Sequence, residues 1–206
     1  MQELSVYKKN LKPAILEEAM SRFREYGIRA VKMDDIAKNM GISKRTLYEV
    51  YSDKEDLLVD VVKSMLKQRK ESLQEFALKR DDAIDILIEA LQQQMEFSAS
   101  THANFFKDLK RYPAVEKMLK HYQKEQEIST LAFFEYGVRQ GFFISSIDFN
   151  IFHKITSGSI SMIRSEELFK NLTYQQLMVN YLFVIIRGIC TRKGLERLDN
   201  FIETIE

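Results

Sequence analysis

The sequence predicts an all-α chain of about nine helices, and three observations predict it. Only 7 Gly and 2 Pro occur among 206 residues, so few positions interrupt a helix. Apolar residues recur at three- and four-residue spacing along most of the chain, which is the period of an amphipathic helix rather than of a strand. Ser, Asp and Thr head several of these segments, where a side-chain oxygen can serve the free amides of a first turn.

Taken in order, Asn10 to Tyr26 reads as the first helix, with Ile15, Leu16, Ala19, Met20 and Phe23 on one face, Pro13 tolerated in the first turn and Gly27 as the stop. Two short helices follow, Met33 to Met40 and Ser43 to Tyr51. Ile36, Met40, Ile42, Leu47 and Val50 supply their contact, and small Ala37 sits where they cross. Gly41 lies between them and can take the left-handed conformation that redirects the chain steeply. This is a helix-turn-helix, in which the first helix braces the second, and the outward Ser43, Lys44, Arg45, Thr46, Tyr48 and Glu49 suit a DNA major groove.

Ser52-Asp53-Lys54-Glu55 reads as a capping box in which Ser52 caps and Glu55 reaches back. The helix it opens continues through Leu57, Leu58, Val61, Met65, Leu66, Leu73 and Phe76 to about Leu78, a strut nearly ~40 Å long at ~1.5 Å per residue. Further helices are expected at Asp82 to Ser98, Asn104 to Arg111, Ala114 to Gln140 and Asp148 to Arg164. The last begins at a second capping box, Thr173 to Gln176, and ends near Ile189. The boundary is expected at Lys54, dividing a three-helix DNA-binding domain over residues 1–53 from a helical effector-binding and dimerisation domain over residues 54–206.

Lys44 and Arg45 stand at the start of the recognition helix, where side chains reach base edges, and an arginine there can pair with guanine through two hydrogen bonds. Thr46, Tyr48 and Lys54 are assigned to phosphates, which position the protein without reading sequence. Lys32, at the head of the bracing helix, and Ser43 complete the set, while Tyr51 shares a helix face with Leu47 and is expected in the core. Residues 1–60 hold 11 Lys and Arg against 11 Asp and Glu, so the expectation is a local basic stripe, from Lys8, Lys9, Lys12, Lys32, Lys44, Arg45 and Lys54, on a neutral domain.

The last two helices are apolar over more than one face and need a second surface to cover them. We expect a homodimer seam through Ile151, Ile155, Gly158 and Met162 on one helix and Leu177, Tyr181, Val184, Ile185 and Gly188 on the other, the glycines permitting close approach.

The segment from Ile36 to Leu58 resembles the N-terminal signature of the tetracycline-repressor (TetR) family, roughly "IA...GvsxxtlYxyFxxKedLl". Ile36, Ala37, Gly41, Ile42, Ser43, Thr46, Leu47, Tyr48, Tyr51, Lys54, Glu55, Asp56, Leu57 and Leu58 stand in register with it. The resemblance covers about the first quarter of the chain. It departs at Lys32, where the family often has a threonine, at Arg45, where a small residue is common, and at Val50, where a tyrosine or histidine often touches phosphate. The resemblance implies a dimer through the last two long helices and an effector pocket in the middle of the chain. It also implies a lever in which ligand binding biases the strut from Lys54. The candidate pocket residues are Met95, Phe97, Phe105, Phe106, Met118, Tyr122, Phe133 and Phe134; few charges fall among them, which suits a small apolar or aromatic effector. The alternative is a ligand-independent DNA-binding or protein-interaction dimer whose C-terminal domain is fully packed.

Other function classes find little support. Cys190 is the single cysteine, so no intrachain disulfide forms, and a reducing, cytoplasmic setting is expected. Asn171-Leu172-Thr173 matches a glycosylation sequon but reads better as the approach to a cap at Thr173. His102, His121 and His153 are too far apart for a helix-borne metal pair, and no phosphate-binding loop, nucleophile elbow or dinucleotide fingerprint is present. We therefore expect no enzyme activity, cofactor, metal or membrane association. The partners expected are a double-stranded DNA operator, a second copy of the chain and the effector.

Overall fold

The computed structural model describes the backbone of residues 2–165 and 174–204, and the side chains of residues 10–159 and 176–204. Among the described residues there are ten helices: α1 (Gln2–Tyr26), α2 (Met33–Asn39), α3 (Lys44–Val50), α4 (Lys54–Lys79), α5 (Ala83–Ala99), α6 (Ala103–Leu109), α7 (Pro113–Arg139), α8 (Phe149–Ser165), α9 and α10 (Arg192–Glu203). Helix α9 runs as Tyr174–Leu177, then a π-helical stretch Met178–Leu182, then Phe183–Ile189. The wider π turn shifts the helical phase, which is why apolar residues on α9 spread over more than one face in sequence.

Four differences from the sequence reading have physical reasons. Helix α1 starts earlier than Asn10, so Pro13 lies inside it rather than in its first turn. The cap of α4 is Asp53, not Ser52: Asp53 Oδ1 accepts from the Asp56 amide at 2.9 Å, and Asp56 in turn accepts from the Ser52 amide at 3.3 Å. Helix α10 was not anticipated, although Thr191 caps it by accepting from the Gly194 amide, and Leu195, Leu198 and Ile202 carry its apolar face. Helix α7 takes Pro113 as its first residue, where the missing amide is no loss. The second capping box at Thr173 and the sequon at Asn171 lie outside the described residues.

The chain divides into two compact units. The first comprises Met1–Ser72 and Phe97–Lys124, the second Leu73–Glu96 and Glu125–Glu206. The first therefore reaches beyond residues 1–53. Leu57, Leu58, Val61 and Val62 of α4, Phe105 of α6 and Val115 of α7 are buried in the same core as Phe23, Ile36 and Leu47.

In the second unit the core is largely aromatic. Phe134 stacks on Phe149 at 4.7 Å, and Phe133, Phe143 and Phe152 meet these rings at steep angles. The segment before α8 pairs with the end of α9, the Ile144 amide bonding the Ile189 carbonyl and the Thr191 amide the Phe142 carbonyl, both at 2.9 Å. Gly194 allows this approach, since a β-carbon there would stand 2.4 Å from the Phe142 carbonyl oxygen. Gln140, just past the end of α7, serves the head of α5 by accepting from the Ala83 amide at 2.8 Å.

Cys190 is 4% exposed, and burial foremost, with the nearby Asp199 carboxylate, pushes its thiol from 9.0 up to about 11. The folded chain should therefore react slowly with a disulfide-exchange reagent at pH 8 and rapidly once unfolded. Because the value is raised, the contribution of Cys190 to stability is complete below pH 9.0 and disappears as the pH rises through about 11. Cys190→Ala should remove that part of an alkaline fall in a stability titration, and prompt labelling of the native chain would contradict the assignment.

Candidate nucleic-acid interface

The turn between α2 and α3 closes as a Schellman motif. The Ile42 amide bonds the Ala37 carbonyl at 3.0 Å, the Gly41 amide bonds the Lys38 carbonyl at 3.1 Å, and Gly41 takes φ of 64°. Nothing lies within 4 Å of a β-carbon built on Gly41, so the glycine is needed for its backbone conformation and not for space. Ser43 caps α3 by accepting from the Thr46 amide at 3.0 Å, and the two hydroxyls meet at 2.8 Å. Leu47 is fully buried, which seats the helix and leaves Lys44, Arg45, Tyr48 and Glu49 exposed on the other side. Tyr48 is 47% exposed and Tyr51 1%, so the two tyrosines separate into surface and core as their spacing requires. Val50 is half-buried and packs against the core.

The cations on this face are not free. Arg45 pairs with Glu49 one turn on, Nε to Oε1 at 3.0 Å, although the arginine side chain remains 88% exposed. Lys44 bonds Asp34 across the gap from α3 to α2, and that carboxylate raises the lysine's pKa. Both pairs are solvent-exposed and therefore weak, so a phosphate or a guanine edge can replace the carboxylate. Sequence reasoning placed Lys44, Arg45 and Glu49 on this face but paired neither cation with an acid. Glu49 was legible as the i+4 partner of Arg45, whereas Asp34 was not, because its partner comes from another helix. Lys32 is exposed, with its amide bonded to Asp35 Oδ2 at 3.1 Å in front of α2.

Lys54 stands differently from its sequence assignment. Its ammonium bonds the carbonyls of Val31 and, at 3.4 Å, Arg29, and it lies 5.8 Å from the centre of the Phe23 ring. Desolvation foremost lowers its pKa. A group turned into the loop between α1 and α2 supports that loop and is poorly placed to hold phosphate. Asp108 of α6 grips the same loop, accepting from the Arg29 amide at 2.8 Å while 6% exposed. Glu55 accepts from the Ala114 amide at the head of α7 at 2.8 Å. Asp108 was not singled out in the sequence, and Glu55 was read there as the far member of a capping box; only burial and long-range partners reveal these roles.

The eight candidate pocket residues fall into two groups. Phe97, Phe105 and Phe106 interlock edge to face at 5.4 to 6.1 Å in the first unit, with Met118 against the same core and Tyr122 half-buried in that unit. Met95, Phe133 and Phe134 pack in the core of the second unit. An open groove of α1 and α4, lined by Leu16, Met20, Arg24, Val61 and Met65 among others, includes none of the eight.

At the expected dimer seam, Ile151, Ile155 and Val184 are 57%, 62% and 61% exposed. Gly158 and Gly188 are exposed, Leu177, Tyr181 and Ile185 are half-buried, and the side chain of Met162 lies outside the described residues. His102 Nδ1 accepts from the Asn104 amide at 3.1 Å and so caps α6. Among the described residues no cluster of His, Cys, Asp and Glu could hold a metal, and no helix is long and apolar enough to cross a membrane.

Replacing Lys54 by Met should leave two loop carbonyls without their donor. The expected loss is about 1.5–3 kcal/mol, a charged hydrogen bond's contribution, or roughly 3–10 °C in Tm. A normal Tm with a salt slope of DNA binding reduced by about 0.9 would instead return Lys54 to the phosphates.

Comparison with known proteins supports the reading of this face. A family model described as "Bacterial regulatory proteins, tetR family" matches residues 15–61. The chain is 29% identical over 129 residues to the uncharacterized HTH-type transcriptional regulator YhgD of Bacillus subtilis, a match covering 63% of this chain and 59% of that relative. It is 25% identical over 193 residues to the HTH-type transcriptional repressor KstR2 of Mycobacterium tuberculosis, covering 88% of this chain and 93% of the relative. In fold it is similar to a solved regulator from Saccharomonospora viridis in complex with choline, with a TM-score of 0.63 at 18% identity over 95% of this chain and 96% of that one. With the Gly41 turn, the capped α3 and its exposed cationic face, these likenesses show that residues 15–61 form a DNA-binding helix-turn-helix of the TetR family of bacterial regulatory proteins.

Proposed function

We propose that the chain is a cytoplasmic repressor that binds a palindromic operator as a homodimer and releases it when a small apolar or aromatic effector binds its C-terminal domain. The observation that carries the DNA half of this reading is the exposed face of α3, with Arg45 88% exposed in its first turn and held only by a weak surface pair. Lys44 and Arg45 read bases after giving up Asp34 and Glu49. Lys32, Ser43, Thr46 and Tyr48 meet phosphates. The dimer half rests on the exposed Ile151, Ile155 and Val184, which a monomer would leave in water. A two-fold axis through that face sets two recognition helices about 34–36 Å apart or a multiple of it, so the operator repeats in inverted half-sites.

The repressor and effector readings draw on likeness: KstR2 is a repressor and the Saccharomonospora viridis neighbour holds choline. Helix α4 belongs to both units, dividing at Ser72 and Leu73, and offers a continuous path for a ligand to bias the reader. The rival, a regulator with a fully packed C-terminal domain, is favoured by the mutual ring contacts of Phe133, Phe134, Phe143 and Phe149. Thermal stabilisation by small apolar, aromatic or choline-like ligands separates the two.

Selection from a random duplex pool should recover an inverted repeat. Arg45→Ala should then weaken the selected operator by about five- to 150-fold, the equivalent of 1–3 kcal/mol for a guanine pair, and relax the preference at one position per half-site. A uniform loss across sequences would move Arg45 to the phosphates. Ile155→Asp should reduce the solution mass to that of one 24.3 kDa chain and abolish preference for the repeat over a single half-site. A dimer that survives this substitution would place the seam elsewhere.

A further inference from the structure

The net charge of +1 hides an uneven distribution. The first compact unit carries 21 Lys and Arg against 14 Asp and Glu, and the second 10 against 16. The helix-turn-helix is not the source of the surplus, since residues 1–60 balance 11 against 11. Part of it lies on α4 beyond Asp60. The larger part lies between Phe97 and Lys124, where six Lys and Arg face two acids, one of them the buried Asp108.

On α7, Lys117, Lys120 and Lys124 recur at spacings of three and four, so they stand in one row. Val115, Met118 and Leu119, on the opposite side of the helix, pack into the core of the first unit. All three lysines are exposed, and none has an ion pair among the described residues. Lys110 and the 61% exposed Arg111, the latter 3.9 Å from the Asp108 carboxylate, add positive charge at the turn from α6. Other charged faces of this chain interleave acids with bases one turn apart, as in Glu18 with Arg22, Lys67 with Glu71 and Arg192 with Glu196. Exposed Glu116 stands one turn before Lys120 but forms no ion pair with it, so the three lysines remain a row of like charges, which destabilises its helix by a few tenths of a kcal/mol per pair. A merely solvated face does not require it.

We propose that this row is a steering surface for double-stranded DNA, one that speeds encounter with the duplex without contacting a base. The inference rests on the DNA-binding reading above and adds the source of its long-range attraction. DNA is the partner, and not an acidic protein, because the row belongs to the same compact unit as the reader: Glu55 ties the head of α7 to the head of α4 at 2.8 Å, and Asp108 ties α6 to the loop before α2 at 2.8 Å. The reader's own face draws a polyanion poorly at a distance, since Lys44 and Arg45 are each accompanied by a carboxylate. Unpaired charges act over the screening length, about 30 Å at 0.01 M salt and 8 Å at 0.15 M, and fields of this kind raise association rates by about 10- to 1,000-fold.

The test is stopped-flow association of the intact protein with a labelled duplex carrying the selected operator, at about 0.05 M and 0.3 M salt. The triple variant Lys117→Glu, Lys120→Glu, Lys124→Glu should associate roughly tenfold more slowly at low salt, with its dissociation rate within about twofold and the difference closing at high salt. The triple Lys→Gln variant, which adds no acid and disturbs α7 least, should show a smaller loss in the same direction. Lys79→Glu, an exposed lysine of the second unit, should slow association less than Lys117→Glu alone. Unchanged association rates in both triple variants overturn the proposal, as does an effect confined to dissociation or an equal loss from Lys79→Glu. A wild-type chain that binds no duplex removes the DNA reading and this inference together, whereas a wild-type chain that binds with rates indifferent to the row removes the inference alone.

Discussion

The loop from Gly27 to Lys32 buries Ile28 and Val31 in the core of the first unit, yet its backbone lies in no helix that could satisfy it. A buried backbone without hydrogen bonds is costly, so the loop needs partners from elsewhere in the chain. It finds them in Lys54, which donates to the Arg29 and Val31 carbonyls, and in Asp108, which accepts from the Arg29 amide. The placement of α2 follows from this closure, since Lys32 at the end of the loop is the residue from which α2 begins. Helix α3 then follows from α2 through the Gly41 turn. The reader is thus held as much by α4 and α6 as by its own two helices.

That arrangement leaves the reading face lightly loaded. Leu47 seats α3, and the groups left outside are two cations, each beside a carboxylate, together with hydroxyls and Tyr48. Weak exposed pairs keep the face close to neutral until a stronger anion displaces the carboxylates. On the reading proposed above, discrimination and attraction separate: the groups proposed to discriminate sit on α3, and the lysine row proposed to attract the duplex sits on α7. In the second unit, by contrast, stacked and edge-to-face phenylalanines fill the interior, and the apolar residues left over, Ile151, Ile155 and Val184, collect on the outer faces of α8 and α9.

The sequence by itself determined everything that depends on a repeating spacing or on one residue's backbone preference. The amphipathic periods announced nine of the ten helices among the described residues, Gly41 announced the turn, and Leu47 with Tyr51 declared which side of α3 faces inward, because a side chain's face on a helix follows from its position alone. Even the missed α10 carried its signal in Thr191 and the row Leu195, Leu198, Ile202. Only the tertiary structure decided whom each charge meets. Lys54 lies directly between Asp53 and Glu55 in sequence yet serves a loop 23 residues back, and Asp108 reads as a surface acid until Arg29, 79 residues away, is brought to it. Pairing across such distances depends on how helices are placed against one another, and a local pattern holds no record of that.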